Sequence, residues 1–369
     1  MDLSHEDSLR LNVLLANKPL AIRIDESRLL VQGLTTQGES TVRLNPGARP
    51  EPYLRRVREL ISGHVLGSPG GYPVYLKRWT RMGQMRDESL AQLLLLGEPE
   101  AVVAAVGSPG LTDELARRAW WAMEEAGNAR RMLGHPAIQQ GRMGPILADY
   151  LVEYLPFETE HEAVMDTVRL VLRPGLLDAR RRLDLWRKSA RKPTYLVGFL
   201  RALPDDLPEP AQPRELDTSV RDLARVGHPY AALLERVHRG TGQAFLKTAA
   251  TVLAKPPSQD VVIAMLDCLR DYFAVLRPEG DPDLTLEALI ADAETFVSPA
   301  GRDPGLIELA RRSPSQIPDI AAMRFLSGLG YGLIRPLLRD PTTQGSLMRR
   351  KLSPIIDPIQ ERLDQLRRA

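Results

Sequence analysis

The sequence predicts a mainly α protein, built from HEAT-like helix pairs (α-solenoid-like) behind a small N-terminal α+β module. Three observations carry this prediction. After residue 86 the chain reads as short amphipathic helical stretches, each punctuated by Gly or Pro. Three of these stretches begin alike, at Gly110, Gly144 and Gly175, with starts 34 and 31 residues apart and a second helix-like stretch between each pair. A period of that length suggests stacked helix pairs. Strand-like alternation, by contrast, lies near the N-terminus.

The elements follow in order. Leu9, Leu11, Val13, Leu14 and Leu15 predict an opening helix that Pro19 stops. Leu20 to Asp25, Leu29 to Leu34 and Ser40 to Asn45 predict three short strands, the last two separated by a Thr-Thr-Gln-Gly-Glu turn. Such a meander needs a covering helix. Tyr53 to Val65 supplies one, with Leu54, Val57, Leu60, Ile61 and Val65 on one face. Gly67 to Pro73 reads as a rigid loop leading into residues 74–82, and everything after Asp87 as helical. Thr159-Glu-His-Glu162 has the spacing of a capping box. Pro204, Pro208, Pro210 and Pro213 mark a linker or long surface loop. Val261 to Val275 is the most apolar helix of the second block, with Ser258 as its N-cap. Pro358 suits the first turn of a last helix, with Ile359, Leu363 and Leu366 as its buried stripe. The organisation expected is therefore an α+β module over 1–86, a helical block over 87–203, a Pro-rich linker or loop over 204–217, and a second helical block over 218–369.

Composition narrows the classes. Hydrophobic residues make up 43% and charged residues 26% of the 369, enough for a real core. A net charge of +2 is no footprint of a dedicated nucleic-acid binder. The N-terminus is acidic and has no apolar signal region, and no uncharged apolar run reaches membrane-spanning length; the nearest, Ile320 to Leu338, is broken by Arg324 and Arg335. A cytoplasmic location without a membrane span is expected.

No motif assigns a chemistry. The Gly67 to Gly71 loop invites a phosphate cradle, but no Gly-Lys-Ser/Thr follows and its prolines lack N–H groups, so a structural turn is expected. Gly328-Leu-Gly-Tyr-Gly332 does not match a dinucleotide fingerprint and reads as close packing. The six histidines show no metal-ligand spacing, and His135 and His228 precede prolines, as loop residues do. The single cysteine, Cys268, sits inside an apolar helix next to Asp267 and Asp271, and reads as a small buried hydrophobe rather than a nucleophile. No cofactor, metal or catalytic residue is assigned. Two basic features remain as interaction surfaces. Lys77, Arg78, Trp79 and Arg81 place an aromatic ring among cations. Arg180, Arg181, Arg182, Arg187, Lys188, Arg191 and Lys192 form the most basic stretch, lying off an apolar stripe of Leu176, Ala179, Leu183, Trp186 and Ala190.

Three segments together, Leu66 to Gln84, Asp87 to Val103 and Leu111 to Met123, resemble the DsrS accessory proteins of the reverse dissimilatory sulfite reductase system of sulfur-oxidising bacteria. The resemblance runs along most of the chain and is most specific between residues 60 and 135. It implies a cytoplasmic protein linked to sulfur oxidation and supplies no catalytic motif. The leading expectation is thus a non-enzymatic accessory or regulatory protein with a protein partner, Dsr-system proteins being the partners implied. Two alternatives stay open. An RNA-binding post-transcriptional regulator would track phosphates with residues 180–192 and bind with a steep salt dependence. An enzyme on a helical scaffold would show a deep pocket with facing carboxylates or shifted pKa values.

Overall fold

In a computed structural model the described residues are 3–47, 49–73, 87–337 and 345–368. They hold twenty α-helices and one three-stranded antiparallel sheet, so the chain is mainly α with a small N-terminal α+β module. Two compact units divide it: residues 1–156 with 173–176, and residues 157–172 with 177–369.

In the first unit, α1 (His5–Ala16) precedes β1 (Ala21–Asp25), β2 (Leu30–Thr35) and β3 (Gly38–Arg43), paired in the order β1-β2-β3. Ile22 faces Gly33 and Val31 faces Val42 across the ladder. The apolar positions Ile22, Val31 and Val42 bury against Leu11, Leu14 and Leu15 of α1 and against Tyr53, Leu54, Val57 and Ile61 of α2 (Pro50–Leu66). Leu9 and Val13, counted in the predicted stripe of the first helix, are exposed.

The module does not end at residue 86. The helices that follow, α3 (Asp87–Leu93), α4 (Pro99–Val106) and α5 (Asp113–Ala122), belong to the same unit as the sheet. The Ile22 amide donates to Leu94 O at 2.9 Å, and Arg23 stacks on Trp121 at 4.6 Å while donating to its carbonyl. A three-stranded sheet has open edges, and here the following helices occupy the edge at β1. The unit continues through α6 (Ala126–Leu133), α7 (Pro136–Gln139) and α8 (Met143–Tyr154).

The second unit runs α9 (His161–Val171), α10 (Ala179–Ser189), α11 (Pro193–Ala202), α12 (Thr218–Arg225), α13 (Pro229–His238), α14 (Gly240–Ala254), α15 (Gln259–Tyr272), α16 (Leu286–Val297), α17 (Pro304–Arg312), α18 (Ile317–Leu326), α19 (Tyr331–Ile334) and α20 (Gly345–Arg367). The three similar stretches are the helices α5, α8 and α10; α6 and the short α7 fall between the first two, and α9 between the last two. Helix α9 packs most closely on α11, past the intervening α10. Gly198 permits this: a Cβ there would stand 2.5 Å from Val168 Cβ. Val197, Phe199, Phe245, Val261, Val262 and Met265 bring α11, α14 and α15 into a core with no exposed surface.

Several local expectations are corrected. Helix α9 starts at His161 with Glu160 as its N-cap, and no side chain caps it, so the box at Thr159 does not form. A start one residue late removes the geometry that box requires. Ser258 does occupy the N-cap of α15, but its hydroxyl has no hydrogen-bond partner. Pro358 lies inside α20 together with Pro354 instead of opening it. The helix continues through both prolines because Leu352, Ile355, Ile356, Ile359, Leu363 and Leu366 form one buried stripe packed on α14 and α18. The Pro-rich segment 204–217 separates no units. It is a tied-down loop of the second unit: Leu207 and Leu216 are buried, the Ala211 amide donates to Gly240 O, and the Arg214 amide donates to His238 O. No described helix is long and apolar enough to cross a membrane.

Candidate functional site

The first predicted surface, Lys77, Arg78, Trp79 and Arg81, lies outside the described residues. The loop that leads to it is described through Pro73. Gly67 and Gly71 take positive φ there, and the Gly71 and Tyr72 amides donate to Ser62 Oγ and Glu98 Oε2. The chain itself occupies these donors, so the loop is a structural turn rather than an anion cradle.

The second predicted surface is α10 and the turn after it. Asp178 caps the helix by accepting from the Arg181 amide, with the carboxylate on the favourable end of the helix dipole. Arg180, Arg187, Lys188, Arg191 and Lys192 are exposed, while Arg181 and Arg182 are half-buried. Arg182 pairs with Asp206 at 3.0 Å and Arg187 only loosely with Asp184 at 3.7 Å. Lys192 lies over the Tyr195 ring at 4.8 Å.

The apolar stripe does not go where the sequence suggests. Leu185 and Ser189 are the buried residues of α10, and Trp186 meets Phe199 edge-on at 5.0 Å. Of the expected stripe only Leu176, ahead of the helix, is buried. Ala179 and Ala190 are exposed, and Leu183 and Trp186 only half-buried. At about 100° per residue, Leu185 and Ser189 mark one side of the helix, and Ala179, Leu183, Trp186 and Ala190 lie roughly a quarter turn or more away. The helix therefore has two apolar faces, of which α11 covers one. The other borders a groove of about 250 Å3 walled by Trp186, Ala190, Leu196, Pro210, Ala244 and Thr248. Two charged residues, Lys247 and Glu209, also line the groove. Arg180, Arg187 and Arg191 stand on the solvent side of this open face, while Lys188 is about half a turn from it.

A cleft of about 360 Å3 that sequence reasoning missed lies where the ends of α9, α11, α13 and α15 meet. Each of these helices has an arginine in its last turn: Arg169, Arg201, Arg236 and Arg270. Cations at that position offset the negative ends of the helix dipoles. Asp166 and Asp205 hold Arg169 and Arg236, the latter in a fork of two 2.7 Å hydrogen bonds. Arg270 pairs with Asp267 at 2.9 Å. Arg236 also stacks 3.8 Å above the Tyr272 ring and donates to the Tyr272 carbonyl. Cys268 lies at this cleft. Burial pushes its thiol up to about 12, and the Arg201 guanidinium beside it only partly offsets that effect. A thiol in this state is not a nucleophile at neutral pH, because the thiolate is the reactive form. The flanking Asp267 and Asp271 contribute less than burial does.

Two histidines gain roles that the sequence did not assign. His228 caps α13, its Nδ1 accepting from the Ala231 amide while Nε2 faces Gly305 O at 3.0 Å. His135 Nε2 reaches Val106 O at 3.1 Å. Both precede a proline at the first position of a helix, and that pattern could have suggested caps. Among the described residues, no group of three or more His, Cys, Asp and Glu side chains is placed to hold a metal ion. In comparisons with protein-family models, curated proteins and solved structures, nothing matches the chain.

Proposed function

We propose that this chain is a non-enzymatic accessory protein that acts by binding a protein partner, and that it serves dissimilatory sulfur oxidation. The setting rests on the resemblance to the DsrS proteins in the segments between residues 66 and 123. The binding role rests on one observation: α10 leaves its second apolar face open beside exposed arginines. An apolar strip rimmed by cations is costly to expose to water unless something covers it, and Arg and Trp are the residues that dominate interface energetics.

The test is recovery of the tagged full chain from its native host during sulfur oxidation, with and without nuclease. It compares the natural sequence with Arg180→Glu/Arg187→Glu/Arg191→Glu. The expected result is stoichiometric Dsr-system proteins that resist nuclease and are lost from the triple variant. Nuclease-sensitive recovery would replace this reading with the RNA-binding one. A second variant, Trp79→Ala with Arg78→Glu, examines the other basic patch; unaltered capture removes that patch from the interface.

A further inference from the structure

Taking that reading as its basis, we infer that the open face of α10 receives an acidic amphipathic helix of the partner, which seats one bulky apolar side chain in the groove beside Trp186. Three features of the face define the occupant. The groove is about 250 Å3, room for one large side chain, and its walls at Trp186, Leu196, Pro210 and Ala244 are apolar. Leu196 and Ala244 are themselves buried, so the floor is fixed by the core of the unit and forms without the partner. The cations beside it are ordered along the helix. Arg180 and Arg187 are seven residues apart on the same side, a rise of about 10 Å, and Arg191 follows in the turn after the helix end. Carboxylates at i and i+7 of a neighbouring helix have the same rise. An apolar residue on the adjoining face of that helix then meets the groove, which is the helix-in-groove mode of recognition.

Charge complementarity selects the acidic class. Arg180 and Arg191 have no ion-pair partner among the described residues, and Arg187 is held only at 3.7 Å by Asp184. Lys247 is the one cation that lines the groove itself, where Glu209 is also present. The apolar floor favours a peptide over a nucleic acid, since a phosphodiester strand offers no aliphatic side chain to fill it. Trp186 is already engaged with Phe199 in a T-shaped contact within the unit.

The experiment uses the full chain and a labelled 16-residue helical peptide with Glu at i, i+4 and i+7 and Leu on the adjoining face, read by fluorescence anisotropy at low salt. Replacing the glutamates by glutamine, or the leucines by alanine, is expected to weaken binding at least tenfold. Arg187→Glu and Ala190→Glu in the protein are expected to do the same. Lys188→Glu, the same charge change half a turn away, leaves binding within twofold. Asp184→Asn, which frees Arg187, tightens it. Circular dichroism of each variant verifies that helicity is intact. Absence of binding at millimolar peptide overturns the inference, as does binding that ignores the leucines. Oligouridine competing at least as well as the peptide, through the same arginines, overturns it in favour of a nucleic-acid surface. If the host partner depends on the arginines and the peptide does not bind, this inference fails and the protein-binding reading stands. If the triple variant keeps its host partner, the reading itself has failed.

Discussion

Asp7 shows how a single buried carboxylate ties three elements together. It lies in the first turn of α1, fully buried, and its Oδ2 accepts from the Tyr53 hydroxyl of α2 at 2.5 Å and from the Asn45 amide after β3 at 2.8 Å. Burial, with Asp7 adding to it, raises the Tyr53 pKa, so the hydroxyl keeps its proton as a donor. Tyr53→Phe should destabilise the first unit by about 1–3 kcal/mol, because the carboxylate loses a partner in a place water does not reach; a shifted urea midpoint is the readout. Cys268 is the opposite case, a reactive group silenced by its surroundings. With its pKa moved from 9.0 to about 12, it carries roughly a thousandfold less thiolate at a given pH than an ordinary cysteine. Its reaction with a disulfide reagent at pH 8 should be negligible until denaturant unfolds the second unit, and reaction at the rate of a free thiol in the folded protein would contradict the assignment. Asp319 ties stability to pH. Burial opposes its ionisation, but the His238 ring, Arg214 and Gln365 around it outweigh that and hold its carboxyl below 3.8. The stability it contributes is present above pH about 3.8 and is lost as pH falls through the lower folded-state value. Asp319→Asn should therefore flatten the acid limb of the stability profile.

At the scale of elements, packing overrules local preference in both directions. Prolines are expected to open or end helices, yet α20 runs through Pro354 and Pro358 because the helix buries a continuous apolar stripe. A proline in a helix interior costs about 3 kcal/mol. The stripe offsets that cost with several side chains each worth about 1.5–3 kcal/mol. Gly198 is the converse, a poor helix former held where α9 and α11 approach too closely for a methyl group. Gly198→Ala should destabilise the second unit by about 1–3 kcal/mol despite the better helix propensity of alanine. An increase in thermal midpoint would show that the two helices can slide apart. In α10, apolar periodicity alone cannot say which of two apolar faces is buried. Leu183 and Trp186 look equivalent to Leu185 in sequence, yet Leu185 is buried while Leu183 and Trp186 are half-buried.

At the scale of the molecule, the C-terminal helix completes the second unit. The Leu366 carbonyl accepts from Gln243 at 3.1 Å and from Arg214 at 3.5 Å, and Gln365 donates to Asp319 at 3.2 Å. Truncation after Ser353 would remove Ile355, Ile356, Ile359, Leu363 and Leu366 from the core. At about 1.5–3 kcal/mol each, their loss is on the order of the whole stability of a domain. The truncated chain should lose the cooperative unfolding transition of the second unit, while the first unit's transition persists in calorimetry. Two intact transitions would show that α20 is dispensable.

By itself the sequence determined the mainly α class, the three-stranded meander with its one covering helix over Tyr53 to Val65, and the apolar helical surroundings of Cys268. These follow from periodicity and composition within a short window, where each residue's neighbours in sequence are also its neighbours in space. The tertiary structure decided the rest. The unit boundary lies at residue 156, beyond 86, because distant helices cover the sheet edge at β1. The loop 204–217 is fixed by backbone bonds to residues 238 and 240. The cleft at Cys268 and the groove at Trp186 each draw on residues far apart in sequence. Which face of an amphipathic helix meets solvent depends on what stands opposite it, and that is a property of the assembled chain.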